Sequence, residues 1–191
     1  MLDQFFEEQI YKGVDFSKSG LPSGKYEECT FVNCVFTHVS LAGIKFSSCT
    51  FENCDLSLSK TGGTAFQDVL FKNCKLLGMH FEECNPFLLS MNFEKCQLNL
   101  SSFYQLKLKK TMFRDCSLHE VDFVETDLSN SNFDNCDLLG AMFDNSVLEK
   151  VDFRSAYNYS INPEANRLKK AKFSHEGLAG LLGKYDIVIE R

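Results

Sequence analysis

Several things are missing from this chain, and each absence narrows what it does. No apolar stretch approaches the roughly 18 residues that a membrane-spanning helix needs. The opening, "MLDQFFEEQIYK", lacks the basic stretch and apolar run of a secretory signal. Nine cysteines, an odd number, then point to reduced thiols and a cytoplasmic protein. Basic residues are outnumbered, 20 against 26 acidic, for a net charge of −6. That balance excludes a general affinity for nucleic acid, which requires a basic surface, and no direct nucleic-acid contact is expected. There is no nucleophile–base pair, no glycine-rich phosphate loop and no His-Glu metal motif. Neither catalysis nor a cofactor or metal ion is therefore expected. Tryptophan is absent too, and the aromatic character rests on 19 phenylalanines.

Those phenylalanines are regularly spaced. Residues 29–36 read "CTFVNCVF" and 49–56 read "CTFENCDL". Taking the bulky residue of each quintet as its centre, centres recur every five residues from Phe16 to Phe81 and from Leu88 to Phe153. Of these 28 centres 15 are Phe, 11 Leu, one Tyr (Tyr26) and one Thr (Thr61). Eight cysteines stand two residues before a centre, and Cys84 does so if the first register is carried to residue 86. Val14, Val39, Ile44, Val69, Met79, Ala141 and Val151 share that slot, as suits a tight inward position. A longer period appears when every fourth unit is aligned. Phe31, Phe51, Phe71, Phe93, Phe113, Phe133 and Phe153 then form one column. The reading is four five-residue sides per turn and seven turns, stacked about 4.8 Å apart through strand-like hydrogen bonds. Asn33, Asn53, Asn73 and Asn135 fall two residues after a centre, where a corner suits a side chain that tolerates unusual dihedrals.

Over residues 14–155 the pattern resembles the pentapeptide-repeat family. The resemblance implies an all-β fold, a right-handed quadrilateral parallel β-helix. The family's usual inward Ala is often Cys here. The polar residue before the centre is kept in Asp55, Asp122, Asp127, Asp137 and Asp152. The expected division is an N-terminal cap over 1–12, the β-helix over 13–157 and a C-terminal cap or dimerisation segment over 158–191. The two extra residues near 84–88, with Pro86 unable to donate to a ladder, predict a bulge at which Phe87 either is offered to a partner or folds back over the bulge. Near the end, Ser174 suits a helix N-cap, Leu178, Leu181 and Leu182 an apolar stripe, and Gly183 a stop. "DIVIE" at 186–190 alternates like a strand, with Ile187 and Ile189 on one face. This ending resembles the terminal helix and strand through which several family members dimerise, which implies a homodimer.

The surface carries two further signals. Between 115 and 152 lie Asp115, Glu120, Asp122, Glu125, Asp127, Asp134, Asp137, Asp144, Glu149 and Asp152, opposed only by Lys150, a net of −9. Residues 1–114 carry 12 charges of each sign. An acidic collar beside a twofold end would attract a protein that grips DNA. The resemblance implies the same, because the quinolone-resistance and topoisomerase-protecting members are dimeric rods that imitate DNA and bind gyrase. The partner so implied is DNA gyrase or topoisomerase IV. The alternative is a structural rod with no DNA-related partner. Leu58, Leu77, Leu100 and Leu139 fall on outward slots of one face, where a weakly charged apolar strip suggests either a protein contact or packing against the C-terminal tail.

Overall fold

The computed structural model describes residues 4–185, 187 and 188. Over them the chain winds into a right-handed parallel β-solenoid. Its ladders join residues twenty apart, as Phe31 to Phe51, or twenty-two apart where they cross the insertion, as Phe71 to Phe93. Each turn has four faces. Face one begins with strands Gln4–Glu7, Gly24–Glu27, Lys45–Ser47 and Ala65–Gln67. Above the insertion it continues as single bridges through Lys107, Asp127, Val147 and Arg167. Face two is a seven-stranded sheet from Ile10–Lys12 to Asn132–Asp134, extended by bridges to Asp152 and Lys172. Face three runs from Asp15 to Tyr157. Face four runs through Ser40 and Lys60, then His80, Ser102, Asp122 and Met142.

The five-residue unit arises from one backbone choice repeated at nearly every corner. The residue two after a centre takes φ near +55°, which turns the chain through a right angle. Asn33, Asn53, Asn73 and Asn135 do so at φ of 53, 54, 49 and 51°. Leu58 and Leu100 hold the same conformation at φ of 58 and 62°, although an L side chain there costs about 1–2 kcal/mol. Packing inside the turn overrides that cost. The N–H of most centres donates to the coil above, as Phe36 to the Asp55 carbonyl at 2.7 Å, so corner geometry and stacking are satisfied together.

Inward centres fill the rod. Nine rings on face two, from Tyr11 to Phe173, stack in eight steps of 4.7–5.3 Å. Rings within one coil meet edge to face, as Phe113 and Phe123 at 5.8 Å and 81°. The second aromatic column changes sides. Below the insertion it lies on face one, as Tyr26, Phe46 and Phe66. Above it lies on face four, as Phe81, Phe103, Phe123 and Phe143. Where the columns overlap, Phe66, Phe71 and Phe81 share one coil. The smaller, fully buried Thr61 lies in the coil beneath Phe81 and donates its hydroxyl to the His80 carbonyl. The insertion follows directly.

At the insertion the inward register breaks. Leu88, expected as a centre, is 66% exposed at φ 55°. Asn85 Oδ1 accepts from the Phe87 N–H at 2.9 Å, and the Leu89 N–H reaches the Pro86 carbonyl at 3.4 Å. This turn carries Leu88 outward, and Leu89 packs against the core in its place. The other 27 centres are buried.

Both ends depart from expectation. Residues 4–12, expected as part of a cap, are themselves coil: their strands pair with the next turn, and Phe6 stacks on Tyr26 at 4.6 Å. At the other end bridges reach Arg167 and Lys172, and Phe173 stacks on Phe153. Beyond it the expected α-helix is two 3₁₀ segments, Glu176–Leu181 and Gly183–Tyr185. Ser174 still caps, its Oγ accepting from the Gly177 N–H at 3.1 Å. Glycines at 177, 180 and 183 recur every three residues and so share one edge of a 3₁₀ helix. That edge lies against the last coil: a Cβ on Gly180 would meet the Tyr159 carbonyl at 2.4 Å. Ile187 and Val188 form no strand, and Asp186, Ile189 and Glu190 of the expected strand lie outside the described residues.

Truncating a ring inside the longest stack should leave a cavity that the neighbouring coils cannot close. Phe113→Ala is expected to lower stability by about 3–5 kcal/mol, whereas Phe87→Ala, at an exposed turn, should stay within about 0.5 kcal/mol. Urea unfolding followed by circular dichroism measures both, and equal losses would contradict the stacked core.

Candidate protein-interaction surface

Four-sidedness scatters the acidic collar around the rod. Asp127 and Glu149 lie on face one, and Asp115, Asp134 and Asp152 on face two. Glu120 and Asp137 lie on face three, and Asp122, Glu125 and Asp144 on face four. No single surface holds all ten.

Half of the collar is also paired with basic side chains, most of them one coil away. Lys109 Nζ lies 3.1 Å from Asp127 Oδ2, and Arg114 Nε 3.6 Å from Asp134 Oδ2. His119 Nε2 lies 2.8 Å from Asp137 Oδ2, and an Arg167 guanidinium nitrogen 2.6 Å from Glu149 Oε1. Asp152 holds Arg154 in a fork, with Nε donating to Oδ1 at 2.9 Å and a terminal nitrogen to Oδ2 at 2.7 Å. The Arg154 hydrogen bond is the main reason the Asp152 carboxyl titrates low, at about 2. The pairs between coils, Lys172 Nζ to Asp152 Oδ2 at 3.5 Å among them, join residues 18 or 20 apart. Charges counted along the chain miss them, whereas charges counted up a column at that spacing reveal them.

What remains unpaired is concentrated. Glu120, Asp122, Glu125 and Asp144 have no cationic partner among the described residues, and all lie on face four or its corner with face three. Backbone bonds stack them: the Glu125 N–H donates to the Asp144 carbonyl at 2.9 Å. Gln105 Nε2 supports Glu125 from below at 2.7 Å. Glu82 and Glu83 carry the line two coils further down, with His80 Nδ1 2.8 Å from Glu82 Oε1. Asp115 stands apart on a face-two corner, bonded by the Asn135 amide at 2.7 Å.

Apolar candidates divide in the same way. Leu58, Leu100 and Leu139 are exposed on face three and its corner with face four, and Leu77 is half-buried. Phe87 is 68% exposed. In the C-terminal segment Leu178 and Ile187 are exposed, while Leu181 packs against the core and Leu182 is half-buried. Tyr185 and Val188, absent from the expected set, are exposed beside them. Ile189 lies outside the described residues.

All nine cysteines are buried free thiols. Their slot does more than exclude bulk. Cys54 Sγ donates to the Phe31 carbonyl at 3.3 Å and Cys74 Sγ to that of Phe51 at 3.3 Å. Ser59, Thr126, Ser131 and Ser146 occupy equivalent slots and donate to the carbonyls of Phe36, Phe103, Leu108 and Phe123 at 2.6–2.8 Å. Each ties the coil above to a centre in the coil below. Burial is the largest cause pushing the Cys49 and Cys84 thiols up to about 12. A hydrogen bond with Cys54 leads the rise of Cys74, also to about 12.

Comparison with known proteins agrees with this architecture. A family model described as "Pentapeptide repeat region" matches residues 44–110 and 87–158, and one described as "Pentapeptide repeats (8 copies)" matches 27–60. Comparison with curated proteins gave no match. Among solved structures, a trypsin-treated form of QnrB1, a plasmid-mediated fluoroquinolone resistance protein, aligns with TM-score 0.57 and 17% identity. The alignment covers 98% of this chain and 92% of that one. HetL, a pentapeptide repeat protein involved in heterocyst differentiation regulation in the cyanobacterium Nostoc sp. strain PCC 7120, aligns with TM-score 0.43 and 13% identity. It covers 88% of this chain and 86% of that one.

The thiols set an alkaline limit on stability. A thiol whose folded pKa is raised binds its proton in the folded state over a range where the unfolded chain has released it. Stability contributed by Cys49, Cys74 and Cys84 is therefore complete below about pH 9 and lost as pH rises towards about 12. Unfolding midpoints should fall over that interval, and less steeply in Cys49→Ala/Cys84→Ala. At pH 8 the native thiols should resist a disulfide reagent that modifies them in denaturant. Prompt reaction of native protein would contradict their enclosure.

Proposed function

This chain belongs to the pentapeptide-repeat family, and on that premise we propose that it is a non-enzymatic, cytoplasmic interaction rod that docks through face four on a DNA-handling enzyme. The observation that carries the proposal is the alignment of Glu120, Asp122, Glu125 and Asp144, with Glu82 and Glu83 below, on a surface that has no lysine or arginine between Lys60 and the C-terminal turns. Carboxylates on three of four successive coils, each about 5 Å from the next, on a stiff support offer a negative line without the entropy cost of ordering a flexible tail. A protein groove lined to receive phosphates meets the same sign of charge in the same linear arrangement. The fold shared with QnrB1 directs the choice of enzyme to a type II topoisomerase, gyrase or topoisomerase IV, with protection against quinolones as the outcome.

The proposal includes a homodimer. Leu178, Tyr185, Ile187 and Val188 expose apolar surface at the C-terminal end, and their burial against a second copy would join two rods into a longer negative saddle. A second reading, a structural rod with no DNA-related partner, draws on the pairing of half the collar with basic side chains within the molecule.

A DNA supercoiling assay with gyrase, with and without a fluoroquinolone, tests the choice. Inhibition or protection is expected at micromolar protein. Glu120→Lys/Asp122→Lys/Glu125→Lys should weaken it about tenfold or more, while Asp134→Asn on face two should leave it unchanged. No effect of the native protein on either gyrase or topoisomerase IV would remove the topoisomerase reading and leave the structural rod.

A further inference from the structure

The face adjoining the acidic line has the opposite charge. Over the four rungs centred on Leu108, Leu128, Leu148 and Leu168, face one carries seven basic residues and two acidic ones. Asp127 is taken by Lys109 and Glu149 by Arg167. Lys107, Lys110, Lys150, Lys169 and Lys170 are exposed and have no acidic partner among the described residues. The Lys110, Lys150 and Lys170 corners stack in one column with Asn130, joined by bonds such as the Lys150 N–H to the Lys169 carbonyl at 3.0 Å. Five uncompensated lysines on one side of a chain whose net charge is −6 call for an anionic partner that presents charge at the same pitch.

This chain carries such a surface itself, on face four. We propose that the upper part of face one docks against face four of a second copy, so that rods associate side by side. The charges match rung by rung when the two rods run parallel. Lys107 and Lys110 meet the rung of Glu82 and Glu83. The next rung is uncharged on face four, with Ser102, Tyr104 and Gln105, and it meets Ser129 and Asn130 together with the already paired Asp127. Lys150 meets the rung of Asp122 and Glu125, with Glu120 at its edge. Lys169 and Lys170 meet that of Asp144. Reversing one rod places Asp122 and Glu125 against the rung that has no free lysine, which like-charge crowding disfavours. Exposed Tyr104 and Met142 on face four add apolar contact.

The parallel register has a geometric consequence. Faces one and four are neighbours on the same rod, and the rung of Leu108 lies one and a quarter turns above that of Phe81. Each contact therefore combines a turn with a shift of about 6 Å along the axis. A head-to-tail contact that includes a shift does not close into a ring. The assembly is open, and its size follows concentration. It is distinct from the proposed C-terminal dimer, since it is held by exposed charges and so is sensitive to salt.

Sedimentation velocity of the full chain at low and high salt tests this. In dilute buffer the average mass should climb with concentration past that of a dimer, and in about 500 mM salt it should stop at one defined species. Lys107→Glu/Lys110→Glu/Lys150→Glu should weaken association at least about tenfold, as should Glu83→Lys/Asp122→Lys/Glu125→Lys. The two variants mixed, or both sets in one chain, should restore it, which also shows that the altered surfaces are folded. A mass independent of concentration at low salt would overturn the proposal, as would failure of the combined variant to recover. So would capture of a short DNA duplex by the native protein that is lost with the face-one lysines, because that face would then serve nucleic acid. Gyrase inhibition is a separate readout, which loss of the face-one lysines alone should not weaken.

Discussion

The structure depends on ring-to-ring registry along the axis. A coil must close in twenty residues so that each inward side chain lands on the one below it. Face-two rings do this from Tyr11 to Phe173, and offset stacking adds about 0.5–1.5 kcal/mol per pair beyond burial. Left-handed corners, the thiol and hydroxyl bonds from coil to coil and the small inward slot all serve that closure. They explain how Leu58 and Leu100 tolerate a backbone conformation that would be unfavourable in isolation. They also explain why cysteine suits the slot: it is small, it prefers a dry interior, and its weak donor satisfies a carbonyl where a methyl group leaves it bare.

Registry also sets the limits of variation. Above the lowest coils the cross-section holds mostly two rings opposite or beside one another, with Leu or Thr at the remaining sides. Moving the second aromatic column from face one to face four places three rings, Phe66, Phe71 and Phe81, in one coil, as Tyr26, Phe31 and Phe36 are placed lower down without an insertion. At the change of column Thr61 lies beneath Phe81 and two extra residues follow it. The bulge thus coincides with the change of column, and the exposure of Phe87 and Leu88 follows from the turn the extra residues make. Exposure there accompanies a break in the inward register, and the charged faces are the better guide to recognition.

Repeating side chains were legible in the sequence because burial acts on them one by one: Phe31 and Phe51 are inward for the same local reason, and nine cysteines report the same slot. Charge was less legible. Asp137 and His119 are 18 residues apart and touch; Asp122 and Asp137 are 15 apart and lie on different faces. A linear count merges them into one collar, whereas the coil separates them into pairs and columns. The terminal 3₁₀ turns were hidden for another reason. The leucine pattern fits an α-helix, but glycines at every third position allow close approach to Tyr159, and tertiary contact outweighs helix preference there.

The two proposed contacts draw on the same carboxylates. If Asp122 and Glu125 face lysines of a second rod, they are withheld from an enzyme groove, and binding of the enzyme must release the neighbouring rod. Such competition couples self-association to partner binding by mass action: each contact raises the apparent dissociation constant of the other in proportion to its own occupancy. Both are electrostatic and weaken together in salt, so ionic strength alone does not tell them apart. Geometry does. The lysines of face one enter only the contact between rods, and the unpaired carboxylates of face four enter both. Removing the lysines therefore frees face four for the enzyme, and the sign of that change, tighter rather than weaker partner binding, is particular to a shared surface.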